Sequence, residues 1–394
     1  MVEQSRCHAI NAWEPRRLKS LHRQPLLVSP VPSQTYISWS VPAFSTGEPE
    51  IVKGSEIESV KQSVNSSDVL LCRINPRINR VWVVEARKDT DLPMLASTEW
   101  VVFTGHNSDS YFLSALFTSS RFRNMLLSEV AGVTGSQKRF QIASVLERQE
   151  YFPTQIEQAR IGLLFAKVDN LIAAEKRKLL LLEQKREAYS QKVFSYGSHH
   201  GEDAKHWKMM RLGDIATRIT RRNKGRSNLP LTISARDGLI DQRHFFSKQV
   251  ASKNLDNYIL LQRGEFAYNK STSSDSPWGT IKRLDRYDQG CVSTLYICFS
   301  THSVDSQFIT TLFNSPIWHR EIQAIATEGA RNHGLLNISS KDFFDIQLQI
   351  PDSLSEQKHI GRFFAAYEQL IRQTAKRIGL LEKKKKALLQ TMFI

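Results

Sequence analysis

The sequence predicts an α+β chain: two mixed α/β domains and two long helices that pair as an antiparallel coiled coil, with a pseudo-two-fold internal repeat. Three observations predict it. A helical segment occurs twice at a constant offset of 199 residues, with Ile161 matching Ile360, Phe165 matching Phe364, Leu182 matching Leu381 and Phe194 matching Phe393. Fifteen of the 38 positions from Glu157 to Phe194 are identical in the two copies, far more than unrelated amphipathic helices share. The segments ahead of the two helices carry the same landmarks in the same order, so the duplication extends beyond the helices.

Length and composition bound the rest. A chain of 394 residues has room for two or three domains with substantial cores. Lys plus Arg number 54 against 39 Asp plus Glu, a net charge of +15 that favours a polyanionic partner. No apolar run approaches the roughly 20 residues a membrane span requires. The stretch Met1–Pro15 has no apolar signal-peptide core. Cys7, Cys72, Cys291 and Cys298 are scattered, with no C-x-x-C pair, which argues against a zinc site and for reduced thiols in a cytoplasm. A cytoplasmic protein with no membrane partner is expected.

Taken in order, residues 1–152 form the first domain, with Met1–Asn11 a candidate disordered arm because nothing in the second half matches it. Val28–Pro42 holds three prolines and suits edge strands or loops. Val69–Cys72, Val81–Val84 and Trp100–Phe103 read as strands from their β-branched and aromatic content. One helix is expected over Ser110–Glu129, followed by a loop holding Gly132, Gly135 and Ser136-Gln137-Lys138-Arg139. Residues 153–194 are the first repeated helix and 195–206 a Gly-, Ser- and His-bearing linker. Residues 207–350 are the second domain and 351–394 the second repeated helix. Trp13, Leu18 and Leu21 return as Trp207, Leu212 and Ile215; Asp109-Ser110-x-Phe112 returns as Asp305-Ser306-x-Phe308.

Within the helices, Ile161, Phe165, Val168, Ile172, Leu179 and Leu182 follow an alternating four–three spacing, continued by Tyr189 and Val193. Ile360, Phe364, Tyr367, Ile371, Ile378 and Leu381 repeat it, continued by Leu388 and Met392. Polar residues break both stripes at matched places, Glu175 with Thr374 and Arg186 with Lys385, and such breaks set register in a two-helix seam. Helices of this length extend roughly 60 Å. If the domains sit at opposite ends, connectivity makes the pair antiparallel, and the resulting approximate two-fold matches that of a DNA duplex.

The pattern of Pro, Glu-Gln, Ile-Gly, Phe, Leu-Ile, a Lys-rich stretch and a closing Phe in each half resembles the specificity subunit of type I DNA restriction-modification systems. The resemblance covers the chain from Trp13 onward and is specific in the helices and the Trp-Leu openings. It implies two target-recognition domains, each reading one half of a bipartite double-stranded DNA sequence. It also implies an antiparallel coiled coil that sets the gap, and partners in the form of two methyltransferase subunits and, in the full complex, restriction-translocation subunits.

The DNA-contact candidates come from basic, amide-rich loops, since Arg pairs with guanine and Asn or Gln with adenine. In the first domain these are Arg73, Asn75, Arg77, Asn79 and Arg80, then Gln137, Lys138 and Arg139. In the second they are Asn269 and Lys270, then Arg331, Asn332 and His333, with Arg221, Arg222 and Lys224 as a further group. The bland alternative for each is a solvated basic loop. Lys383–Lys386 and Glu175–Lys178 read as solvated helix faces, and Met209-Met210, Phe245-Phe246 and Phe343-Phe344 as core.

Catalysis is not expected. Pro351-Asp352 with Glu356-x-Lys358 superficially resembles a nuclease metal motif, but the first repeat lacks both the Asp and the Lys. There is no G-x-x-x-x-G-K-[ST] loop, and Asn75-Pro76 is followed by Arg77-Ile78, not by the Pro-aromatic pair of amino-methyltransferases. No cofactor or metal is expected. The competing function is a coiled-coil scaffold with nonspecific polyanion binding.

Overall fold

The computed structural model describes residues 13–86, 91–131, 138–196, 206–235, 237–245, 254–274, 276–326 and 334–393. The chain divides into two compact units, Met1–Arg177 with Ala375–Ile394, and Lys178–Thr374, so each unit holds one α/β head and half of each long helix.

In the first unit the strand Glu14–Arg17 pairs antiparallel with Gln149–Phe152 and closes the head on itself. The apolar runs Val69–Cys72 and Trp100–Phe103 are buried on both faces and lie side by side in a three-stranded antiparallel sheet with Val81–Val83. Behind them sits the helix Ser110–Thr118, capped by Asp109, whose carboxylate accepts from the Phe112 N–H at 2.8 Å. Phe103, Phe112 and Phe117 fill the core between sheet and helix. A five-stranded sheet that includes Thr35–Trp39 adds a second core around Trp39 and Trp100. The single helix expected over Ser110–Glu129 is two, Ser110–Thr118 and Ser120–Ser128. Ser119 is extended between them and its hydroxyl caps the second through Phe122 N–H, so a polar residue that reads as mid-helix is a break.

The second unit follows the same plan. Trp207–Arg211 pairs with Gln347–Pro351, and Phe266–Asn269 lies between Ile297–Thr301 and Thr280–Arg283. Asp305 caps the helix Ser306–Asn314 through Phe308 N–H at 2.8 Å.

The repeated helices run Gln155–Tyr196 and Leu354–Met392. Within each unit their halves pair antiparallel: residues ascending on one meet residues descending on the other. In the first unit Asp169 pairs with Lys385 at 2.6 Å and Glu175 with Arg377 at 3.2 Å. In the second, Arg186 pairs with Glu368 at 2.8 Å, and the Tyr189 ring meets Phe363 at 5.4 Å. The twelve leading stripe positions, Ile161 to Leu182 and Ile360 to Leu381, are all buried or half-buried. At the tail of the second helix the buried face shifts from Leu388 to Leu389, because there the helix packs into a head core.

That packing explains the repeat signature. Gln158 is fully buried; its amide donates to Pro153 O at 2.9 Å and its carbonyl oxygen accepts from Asp109 N–H at 3.2 Å. Gln357 does the same with Pro351 O and Asp305 N–H, each at 2.8 Å. Gly162 and Gly361 let the helix approach those capped turns: a Cβ on Gly162 would lie 2.0 Å from Asp109 Oδ1. Phe393 enters the first head's core beside Phe112 and Trp13, and Phe194 enters the second's beside Phe308 and Trp207. Each head is thus completed by the end of one repeated helix and the start of the other.

One core assignment and one solvated-face assignment need correction. Met209 is 56% exposed, because its strand belongs to a two-stranded ribbon with one open face, whereas Met210 is half-buried and Phe343 fully buried. Glu175 is not a solvated residue: it is buried in the seam and paired with Arg377. Phe246 and the side chain of Phe245 lie outside the described residues.

Candidate nucleic-acid interface

The loop Arg73–Arg80 is the tip of the hairpin between the strands Val69–Cys72 and Val81–Val83. Cys72 N–H donates to Arg80 O at 3.0 Å, extending the ladder, and Ile78 N–H donates to Asn75 O at 3.0 Å, closing a turn. Asn75 sits at φ 47°, a left-handed conformation that asparagine tolerates better than most residues. Its N–H donates to Lys138 O at 2.8 Å, and Ile74 bridges to Arg139. The hairpin loop Arg73–Arg80 and the described end of the loop that holds Lys138 and Arg139 are therefore brought together at one sheet end.

The second head repeats the arrangement. Ser271, just past Asn269 and Lys270, bridges to Leu335, and Thr272 N–H donates to Gly334 O at 2.6 Å. Lys270 donates to Ile338 O at 3.2 Å, and burial pushes its ammonium pKa down. Asn269 accepts from Ser271 N–H at 3.1 Å. Gln137, Arg331, Asn332 and His333 lie outside the described residues.

The candidates divide by how they are held. Arg77 is exposed at the hairpin tip, its carbonyl accepting from the Arg123 guanidinium. Asn79 donates to Phe117 O at 3.1 Å and Arg80 to Ile74 O at 3.4 Å, which ties both side chains to the head. Arg139 grips Glu99 through two donors, at 3.0 and 2.8 Å, and Arg73 approaches the same carboxylate at 3.6 Å. The Arg139 bonds, with both arginine charges, hold the Glu99 carboxyl below the usual carboxylate range. Glu99 is a residue that sequence reasoning missed; its only signal was an acidic residue directly before an apolar strand.

In the third group Arg221 is bound into the head through Glu265 at 2.7 Å. Arg222 and Lys224 are exposed on a turn whose positive-φ pair is Lys224 at 47° and Gly225 at 75°. The buried Asn223 side chain braces that turn, donating to Ser227 O and accepting from Ser227 N–H at 2.8 and 2.9 Å.

Charge is shared evenly: Lys plus Arg number 27 against 19 acidic residues in the first unit and 27 against 20 in the second. The helices also expose apolar residues at matched places. Leu164, Leu171 and Leu380 face outward in the first unit; Phe363, Leu370 and Leu181, their repeat partners, do so in the second. No group of three metal-ligating side chains and no membrane-spanning helix occurs among the described residues.

No protein-family model and no curated protein matches the sequence. Solved structures do. The S subunit of a type I restriction-modification system from M. genitalium is similar over 97% of this chain and 96% of its own, at 13% identity and a TM-score of 0.62. A chain of a type I R-M system, solved to explain complex assembly and conformational transition, is similar over 97% of both chains, at 16% identity and a TM-score of 0.50. The likeness first read from the repeated helices thus extends to the whole architecture: this chain has the fold of a type I restriction-modification specificity subunit.

Proposed function

We propose that this chain is the DNA-recognition subunit of a type I restriction-modification complex, itself without catalytic activity. Each head reads one half of a bipartite duplex sequence, and the chain positions the methyltransferase and restriction subunits. The observation that carries the reading is the recurrence, in both heads, of one loop pair at the same sheet end, bearing basic and amide residues. A scaffold whose charge served only solubility would have no reason to rebuild that loop pair twice.

Phosphate contacts, with Arg77, Arg222 and Lys224 as the exposed candidates, supply most of the affinity and make it fall steeply with salt. The helix pair fixes the half-sites about one helical turn, roughly 10 base pairs, apart centre to centre. The matched outward triples of Leu164, Leu171 and Leu380 and of Phe363, Leu370 and Leu181 offer two equivalent docks for helices of two methyltransferase subunits. A cytoplasmic location follows from a DNA substrate.

The test is a domain swap with the methyltransferase partner co-expressed and the methylated motif read by sequencing. Replacing residues 13–150 by another variable domain should change one half of the motif and leave the other intact. A motif changed in both halves, or in neither, sinks the modular reading.

A further inference from the structure

We infer that Arg73 reads a guanine in the first half-site, with Glu99 and Arg139 as its positioning frame. The inference deepens the proposed function and rests on it.

Three strand ends meet at Arg73. Its N–H donates to Glu99 O at 2.9 Å, and its own carbonyl accepts from Phe140 N–H at 3.3 Å, so its main chain is fixed from both sides. Glu99 is held in turn by the two bonds from Arg139. Arg73 is attracted to that anchored carboxylate, but at 3.6 Å its buried Nε is beyond hydrogen-bonding distance and has no partner among the described residues, while the side chain as a whole stays 33% exposed. Arg139 is thus committed to the frame, whereas Arg73 is oriented by the frame without being consumed by it. A contact made from such a pre-set side chain loses little conformational entropy on binding.

The frame also selects the ligand. Two guanidiniums share one carboxylate, so the cluster carries one net positive charge rather than two. A phosphate placed against Arg73 would also lie beside the Glu99 carboxylate and lose part of its attraction. A neutral edge with two acceptors would not, and guanine presents O6 and N7 in that arrangement. Adenine places an amino donor where O6 stands and meets the guanidinium donor to donor. The exposed Arg77 has no such carboxylate frame among the described residues and suits phosphate.

The second head lacks the device. The positions matching Arg73 and Glu99 by strand register are Lys270, tied to Ile338 O, and Leu295, which has no carboxylate to frame a cation. The two half-sites are therefore read by different chemistry, with this guanine in the first only.

The test uses the full chain and a pool of randomised duplexes, selecting bound sequences for wild type, Arg73→Lys, Arg73→Ala and Glu99→Gln, each checked by thermal melting. Wild type should enrich a two-part motif with a guanine in one part. Arg73→Lys should lose about 10- to 100-fold of its preference for that guanine while keeping its salt slope. Glu99→Gln should relax the same position, and Glu99→Asp should recover part of it. If wild type selects a two-part motif and both Arg73 variants keep it unchanged, the inference fails and the recognition reading stands. If Arg73→Ala weakens all sequences alike and lowers the salt slope, Arg73 is a phosphate contact and the inference fails. If wild type enriches no sequence, the recognition reading falls and takes the inference with it.

Discussion

Gly162→Ala should destabilise the first unit although alanine is the better helix former. The new Cβ would lie 2.0 Å from Asp109 Oδ1 and 2.9 Å from Phe112 N, the two atoms of the helix cap that Gln158 also buttresses. Losing that cap costs about 1 kcal/mol. Crowding a packed contact adds about 1–3 kcal/mol. Replacing a helical glycine by alanine returns about 1 kcal/mol. The net is a loss of about 1–3 kcal/mol. Gly361→Ala should behave alike, its Cβ falling 2.8 Å from Phe308 N. Gly379 supplies the internal control: it lies in the same helix as Gly361, with nothing within 4 Å of a built Cβ, so Gly379→Ala should gain up to about 1 kcal/mol. Urea unfolding followed by circular dichroism reads all three as midpoint shifts. A Gly162→Ala midpoint equal to or above wild type would refute the docking role given to the repeat signature.

Arg121→Ala should cost about 3 kcal/mol by stranding the buried Glu150 carboxylate, 3.2 Å from Arg121. Burial raises the Glu150 pKa, so in that variant stability should fall as pH rises from the ordinary carboxylate range through the raised value, and recover in acid; a pH series of melts checks the sign. The double variant Arg121→Ile with Glu150→Leu, which installs the residues that the second unit carries as Ile317 and Leu348, should match wild type within about 1 kcal/mol by the same melts. Glu175→Leu should raise stability by about 1–2 kcal/mol, since it removes a buried carboxylate with one unbonded oxygen from an apolar seam and leaves Arg377 to solvent. Trp13 meets Phe393 at 6.2 Å as Trp207 meets Phe194, and 12 residues join the latter pair in sequence. A permutant joining Phe393 to Trp13 through 12 residues and opened between Tyr196 and His206 should therefore keep the wild-type urea midpoint; loss of cooperative unfolding would count against equivalent closure of the two heads.

The helices were legible because their constraint is periodic and occurs twice. The same two copies revealed the Glu-Gln and Ile-Gly signature, but not its purpose. Gln158 and Gly162 look like ordinary helix residues until Asp109, about 50 positions earlier, is seen against them. The Ser119 break was hidden because its neighbours Leu116, Phe122 and Leu126 keep a helical apolar spacing across it. Met209 misled because an apolar residue in a two-stranded ribbon has one face with nothing to cover it. The basic loops were visible by composition, yet composition does not distinguish an arginine spent on the fold from one left for a ligand. Arg221 on Glu265 and Arg139 on Glu99 are of the first kind, and only the long-range pairing shows it.

That distinction separates what the repeat preserves from what it leaves free to change. Among the matched residues, Gln158 with Gln357, Gly162 with Gly361 and Phe194 with Phe393 lie where a helix enters a head, and each of these is used in packing. Where corresponding strands reach the loop pair, the halves diverge: Arg73 corresponds to Lys270 and Glu99 to Leu295 in register, on backbones that run the same course. A duplicated fold whose joints are held alike while its sheet ends differ can present two dissimilar surfaces without altering how either head is mounted. This is the property a reader of two unlike half-sites requires, and it places the search for specificity at those sheet ends, away from the conspicuous repeat.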